Sequence, residues 1–517
     1  MTLAIRRAVF LLTTLLGASS AAHAQPVSLS AEDIGQVLIY PYYTVRNGWT
    51  TLLSIVNNDS ANGKALKLRF LEGKNGASVA SVNLFLAPND VWTAAVLPGS
   101  GTDAPPQLVT NDTSCTYPAL RPGVLETGLP NQPSLVFDTK AIAADGDAVA
   151  LQTVDRLREG YFEVIEMADI PATGDRARDS LAFQIKFEAF NRGQPPCTDL
   201  SDGNLTRYTN QIAAPSGGLS GAATLLNALG GASAEYTPTT LNGFWLTPTT
   251  ATLASALTAS TSSLPNLSSG GNTMAHYFYD GKTYFSKFNR SIDAVSAILM
   301  SDELLGEHAY TVDSSIATTW VITAPTKRFY TQGIAARPFA YPWDGNKGAA
   351  CTEVLLYSYD RNTTSPVGNV DCGLCPPLRP VSERGICQAA AVLSFAGTNA
   401  QGGDFLFDSK HLIVDANLFA FMGAQNAGAS VARAGREGGK TRVKPDSQSA
   451  SLQATSGSIT IVDLATGQLN TVFGPHTLYG LPMIGVAFTQ SSFKLGNPQQ
   501  NYASGFRLQS TRRITTP

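Results

Sequence analysis

Charge is scarce in this chain. Asp, Glu, Lys and Arg make up 15% of its 517 residues, and the formal net charge is −3. Such a balance offers no basic field to draw nucleic acid, so a nucleic-acid partner is excluded. Long apolar runs are missing as well. Beyond Leu16 no stretch approaches the roughly 18 uninterrupted apolar residues of a membrane helix, which leaves a closed β-barrel as the one spanning option. The terminal Arg512-Arg513-Ile514-Thr515-Thr516-Pro517 lacks the aromatic closing strand expected of such a barrel. Histidine is sparse: past residue 24 only His276, His308, His411 and His476 occur, in four separate contexts and without a His-Glu-x-x-His spacing. No Gly-x-Ser-x-Gly elbow is present. Gly435-Arg436-Glu437-Gly438-Gly439-Lys440 lacks the phosphate-loop spacing and reads as a loop. These absences disfavour zinc hydrolases, serine hydrolases and nucleotide enzymes.

What the chain does have begins at residue 1. Arg6 and Arg7 precede the apolar run Ala8 to Leu16, and Ala22-His23-Ala24 is a small-x-small cleavage site. Residues 1–24 therefore read as a secretory signal peptide, and no Cys follows the site to carry a lipid anchor. The mature chain would begin at Gln25, with two arginines fewer and a formal charge of about −5 (34 basic against 39 acidic residues). Its expected address is the periplasm, the outer surface or the medium. Six cysteines in an oxidising compartment read as disulfide partners. Cys115 is expected to pair with Cys197, and Cys351, Cys372, Cys375 and Cys387 among themselves. Cys372-Gly-Leu-Cys375 also has the spacing of a redox or zinc motif, but Pro376-Pro377 follow it where a helix would be needed.

The texture is that of a β-protein: 46 Gly and 29 Pro punctuate short apolar segments. Residues 35–97 read as five strands separated by polar turns. Among them, alternation puts Lys64, Lys67 and Arg69 toward water, and Lys74-Asn75-Gly76 is a hairpin turn. Further strands are expected at 160–167, 181–190, 320–329 and 353–359, and a helix over Ile292–Leu305 on the spacing of its apolar residues. The fold class is mainly β, with antiparallel β-sandwich (immunoglobulin-like) domains, long loops and few short helices. The chain divides into an N-terminal sandwich (25–235), a Thr/Ser/Ala-rich excursion (236–270) with a helix candidate at Thr252–Leu257, and a second β-rich domain with the cysteine cluster (271–423). A flexible Gly/Ser-rich insertion (424–456) and C-terminal strands completing the second body (457–517) follow.

Candidate site residues are few. Asp169, Asp175 and Asp179 share one polar segment, and their carboxylates make a candidate calcium site. Glu159, Glu163 and Glu166 lie along one strand and are expected on a solvated face, although paired carboxylates also serve glycosidases. Tyr40, Tyr42, Tyr43 and Trp49 form an aromatic cluster around Pro41, which pins a strand near a sheet edge; they are a candidate binding surface or a core. Lys327-Arg328-Phe329-Tyr330 reads as a strand end with its charges in solvent.

Several segments together carry a resemblance: Gly35-Gln36-Val37-Leu38-Ile39-Tyr40-Pro41-Tyr42-Tyr43-Thr44-Val45-Arg46, Leu86-Ala87-Pro88-Asn89-Asp90-Val91-Trp92-Thr93, Arg158-Glu159-Gly160-Tyr161-Phe162-Glu163-Val164-Ile165-Glu166, and Thr319-Trp320-Val321-Ile322-Thr323-Ala324-Pro325-Thr326-Lys327-Arg328. The chain resembles a family of uncharacterised exported proteobacterial proteins, surface-layer-like in kind. The resemblance implies an envelope address in a Gram-negative bacterium and brings no catalytic residues with it. The expectation is a non-catalytic structural protein of the envelope or surface that self-associates, adheres or coats. The alternative is a glycan- or ligand-binding protein, and an extracellular hydrolase ranks third. Intact-mass and N-terminal analysis of the chain made in a Gram-negative host checks the first step: the expected mature terminus is Gln25, and a chain that retains Met1 to Ala24 would remove the export argument.

Overall fold

The computed structural model describes residues 25–101, 103–120, 134–172, 180–186, 194–198, 200, 202–246, 257, 262–311, 315–360, 366–369, 385–396, 406–413, 437–446, 450–462, 469–493 and 500–515. The chain is mainly β, its named strand pairs are all antiparallel, and its helices are few and short, as the turn-rich sequence predicts. Among the described residues no helix is long and apolar enough to cross a membrane.

The N-terminal body is a sandwich of two sheets. One has seven strands, with Val37–Thr44, Glu159–Pro171, Asn62–Glu72 and Ser78–Leu86 as consecutive neighbours; the other has six, centred on Leu219–Asn227, Thr50–Asn57 and Val91–Leu97. Between them lies an apolar layer that includes Leu38, Tyr40, Phe70, Phe162, Trp92 and Ile55. The six-stranded sheet alternates cleanly. In Thr50–Asn57 the residues Thr51, Leu53 and Ile55 are buried, while Leu52, Ser54 and Val56 face outward, the pattern of a sheet with one wet face. The expected Cys115–Cys197 disulfide ties the edge strand Cys115–Tyr117 to the loop after the short helix Leu181–Gln184. That helix replaces the strand expected at 181–190.

The seven-stranded sheet does not keep a wet face. A second layer covers it, built on the four-stranded sheet whose central strands are Ile316–Thr323 and Ile484–Phe493. Every residue of Ile316–Thr323 is buried. Ala317 and Val321 pack into the sandwich core with Val486 and Phe488. Trp320 and Ile322 turn to the other side and join the core of the second half, where Val37, Ile39 and Ile165 of the seven-stranded sheet also sit. One strand thus serves two cores, and the boundary expected near residue 235 is crossed by both.

Three assignments change as a result. Thr239–Asn242, inside the expected excursion, pairs with Val37–Thr44, whereas the Thr252–Leu257 helix candidate falls outside the described residues except for Leu257. Glu437–Pro445, inside the expected insertion and its supposed phosphate-like loop, is a strand flanked by Thr352–Asp360 and Glu303–Tyr310. The expected 292–305 helix stops at Leu299. Arg512 donates to the carbonyls of Ala297 and Ile298 at that end, satisfying groups a helix terminus leaves open. Glu303–Tyr310 then runs as a strand.

The segment 406–413 clasps the two halves. Trp49 Nε1 and Asn47 Nδ2 donate to the Leu406 carbonyl at 2.8 and 2.9 Å. Phe407 lies among the rings of Tyr42, Trp49 and Phe488, with centroids 5.3–5.4 Å away. His411 and Ile413 hydrogen-bond the backbone of Val392. Cutting Phe407 to Ala removes a fully buried ring and is expected to cost about 3–5 kcal/mol in urea unfolding; a loss under about 1 kcal/mol would show that the clasp contributes little.

Candidate functional site

The largest concentration of chemistry-bearing side chains among the described residues lies on the two faces of the central strands of the seven-stranded sheet. Strand Glu159–Pro171 carries Glu159, Glu163, Glu166 and Asp169, and all four are buried. Antiparallel register sets Glu163 directly opposite Arg69 and Asp169 opposite Lys64 on Asn62–Glu72. Lys64, Lys67 and Arg69 are buried as well, which corrects the solvent-facing expectation for these three and for Glu163. Lys67 and Arg69 share the side of Leu71, and Lys64 shares the sandwich side of Leu66 and Leu68; both sides are covered by protein where water was expected.

Arg69, Lys64, Glu159 and Glu72 each have a countercharge. Arg69 Nη1 donates to Glu163 Oε1; burial pushes the Glu163 carboxyl up in pKa against the pull of Arg69. Lys64 Nζ reaches Asp169 Oδ1 at 2.6 Å, Ser216 Oγ at 2.8 Å, Glu166 Oε1 at 3.1 Å and Asp59 Oδ2 at 3.2 Å. Burial opposes its charge, but Glu166 and Asp169 outweigh burial and raise its pKa. An ammonium therefore fills the oxygen cage in which Asp169 takes part. This corrects the calcium candidate at Asp169: its carboxylate already neutralises a fixed cation. Asp175 and Asp179 lie outside the described residues, and among the described residues no group of His, Cys, Asp and Glu could hold a metal.

At the other end of the strand, Glu159 Oε1 meets Arg46 Nε at 2.8 Å and Tyr42 Oη donates to Oε2 at 2.9 Å. Burial works against this carboxylate, while His411 and Arg46 outweigh it and hold its pKa below the usual range. Burial also pushes the His411 imidazole down in pKa, against the pull of Glu159 and Glu72. Glu72 is held low in the same way: burial opposes its charge, Arg156 at 3.0 Å and the N–H groups of Lys74 and Asn75 outweigh it. Charges neutralised in this manner hold structure and are closed to substrate.

The aromatic cluster belongs to this same interior. Tyr40, Tyr42, Tyr43 and Trp49 are all buried, which overturns the binding-surface candidate in favour of the core. Tyr40 stacks on Phe162 at 4.2 Å. Pro41 sits at a bulge in the pairing with Glu159–Pro171 and beyond the end of Thr239–Asn242, so its missing N–H costs no ladder bond. Lys327 is buried too, donating to the Ile386 and Cys387 carbonyls, and burial pushes its pKa down to about 7. Arg328 pairs with Asp145. The Lys327–Tyr330 segment is therefore an inward-facing turn and short helix, and the solvent-exposed strand end expected there does not occur. Cys387 is bonded to Cys351; Cys372 and Cys375 lie outside the described residues.

Two constellations at the sheet formed by Met274–Tyr279, Lys282–Lys287, Ser456–Val462 and Leu469–Phe473 escape sequence reasoning, because their members are up to 199 positions apart. On its inner side Ser286 Oγ lies 2.9 Å from His476 Nε2, a nucleophile-to-base distance. Tyr277 Oη binds both, at 2.7 and 2.8 Å. All three side chains are buried, and burial pushes the His476 pKa down against a backbone hydrogen bond with Gly474. A triad needs an open approach, which these buried side chains lack, so this trio reads as a polar plug.

On the outer side, register aligns His276, Phe285, Ser458 and Phe473 in one row across all four strands. His276 stacks on Phe285 at 4.5 Å, and Phe278 meets His276 edge-on at 4.9 Å. Phe278 is 68% exposed and Phe473 79%. Thr283, Thr460 and Thr471 form the adjoining row. By contrast, the shallow depression of about 450 Å³ on the six-stranded sheet is lined by Leu52, Ser54, Thr93, Ala95, Thr224 and Glu235 and carries no ring.

Comparison of the chain with protein-family models, curated proteins and solved structures finds no match.

The buried pairs make a direct prediction. Arg69→Met leaves Glu163 buried without its cation and is expected to cost about 3–5 kcal/mol. The double variant Arg69→Met/Glu163→Leu is expected to recover most of that loss, because an apolar pair fits a dry site. Urea unfolding of the two variants measures the difference; equal losses would mean that the pair does not act as a unit.

Proposed function

We propose that this chain is an exported, non-catalytic protein of the bacterial envelope or surface that works by contact, in assembly, adhesion or coating. The observation that carries the reading is the exposed aromatic and hydroxyl row on the outer face of the four-stranded sheet, set against an interior that takes up, among the described residues, the paired charges Lys64–Glu166 and Arg69–Glu163 and the close Ser286–His476 pair. Two disulfides favour an oxidising compartment, and the signal-like N-terminus and the family resemblance favour the same address. Fractionation of producing cells, followed by sizing and electron microscopy of the native fraction, tests the reading. Protein in the envelope or medium, in ordered high-mass particles or bound to cells, is the expected outcome. A reduced chain in the cytosol would overturn it.

A second reading, glycan binding, has its own support in the same face. Aromatic rings offer planar apolar surfaces to sugar C–H groups, and Ser458, Thr283 and Thr460 supply hydroxyls beside them. Under this reading Phe278→Ala lowers retention on immobilised neutral polysaccharide about tenfold, near 1.4 kcal/mol, with unfolding unchanged. Retention that does not respond to this substitution removes the glycan reading.

A further inference from the structure

The edge of this same sheet points to how the assembly would form. Leu469–Phe473 pairs with Ser456–Val462 on one side only, and among the described residues no strand bonds its other side. An open ladder is a template for another strand, and proteins blunt such edges with charge, proline, bulges or cover. Three other edges of this fold show those devices. Cys115–Tyr117 is stapled by its disulfide and followed by Pro118. Pro366–Asn369 begins with proline. Ala232–Tyr236 is covered by Gln500–Arg507, with Asn501 Nδ2 donating to the Gly230 carbonyl.

Leu469–Phe473 has none of them. Its sequence Leu-Asn-Thr-Val-Phe holds no charge and no proline, and its register with Ser456–Val462 is unbroken. Val472 is 56% exposed and Phe473 79%. The strand is also self-complementary. In an antiparallel pair of two copies centred on Thr471, Thr471 faces its own symmetry mate and Phe473 falls opposite the Leu469 position, an apolar residue against an apolar one at both ends. Identical neutral strands meet without the like-charge repulsion that directly opposed charged residues would create, and a two-fold axis satisfies both partners with one patch.

We infer that Leu469–Phe473 is a β-augmentation site whose occupant is the same strand of a second copy of this chain. Pairing joins two four-stranded sheets into one and makes the Thr283–Thr460–Thr471 rows of the two copies continuous across the axis. This inference rests on the assembly reading above and names its contact.

The test is a charge swap on the axis, in the mature chain with its disulfides intact. Thr471 is exposed, so Thr471→Lys and Thr471→Glu are each expected to leave the thermal unfolding midpoint unchanged. In sedimentation the natural chain is expected to show a concentration-dependent dimer. Each variant alone should raise the dimer dissociation constant about tenfold or more, because two like charges then meet on the axis. An equimolar mixture of the two should restore it. A natural chain that stays monomeric at every concentration overturns both this inference and the assembly reading. Dimers or larger assemblies that persist undiminished in Thr471→Lys, or a mixture that restores nothing, overturn the edge and leave assembly by another surface standing.

Discussion

Covering the outer face of the seven-stranded sheet is the constraint on which the rest of the molecule depends. A sandwich of two antiparallel sheets ordinarily leaves one face of each in water. Here the Val37–Thr44, Asn62–Glu72 and Glu159–Pro171 strands are buried on both faces. The second half of the chain can dock only if the charge it covers is matched, because an isolated buried ion costs several kcal/mol. Register does the matching: Arg69 and Glu163 are direct cross-strand partners, so the ion pair forms with the sheet, and on the sandwich side Lys64 and Asp169 are paired in the same way. Slipping Glu159–Pro171 by one residue would send Glu163 to the apolar layer between the sheets.

The docked layer repeats the logic in apolar terms. Ile316–Thr323 sends Val321 into one core and Trp320 and Ile322 into the other, and its neighbours do the same with Val392 beside Leu393 and with Val486 beside Ala487. The 406–413 clasp adds rings and backbone bonds at the seam. A chain organised this way is one cooperative body, and its polar groups are committed to holding it together. What remains for contact with other molecules is the neutral outer surface of its sheets, which is why the functional proposals fall on an aromatic row and an open edge.

Much of the local structure was legible. Alternation marked the strands of residues 35–97, Lys74-Asn75-Gly76 marked a turn in which Gly76 takes a positive φ of 71°, and the Cys115–Cys197 pairing followed from the grouping of the cysteines. The candidate sites were less so. Lys64, Lys67 and Arg69 read as residues facing water, and the reading failed on what covers the two sides of their strand. Tyr40, Tyr42 and Tyr43 offered core and surface as alternatives that composition could not separate. Ser286 and His476, 190 positions apart, and the row His276–Phe285–Ser458–Phe473 exist only through strand register.

The sequence by itself determined that this is a β-rich chain with short strands, an export-like start, cysteines suited to disulfides and no motif for catalysis, because such properties depend on neighbours a few residues apart. Only the tertiary structure decided which side of each strand meets water. Side-chain alternation has a period of two whether the far side faces solvent or another layer, so burial of the Glu159–Asp169 charges and the two-sided role of Ile316–Thr323 follow from contacts between segments far apart in the chain.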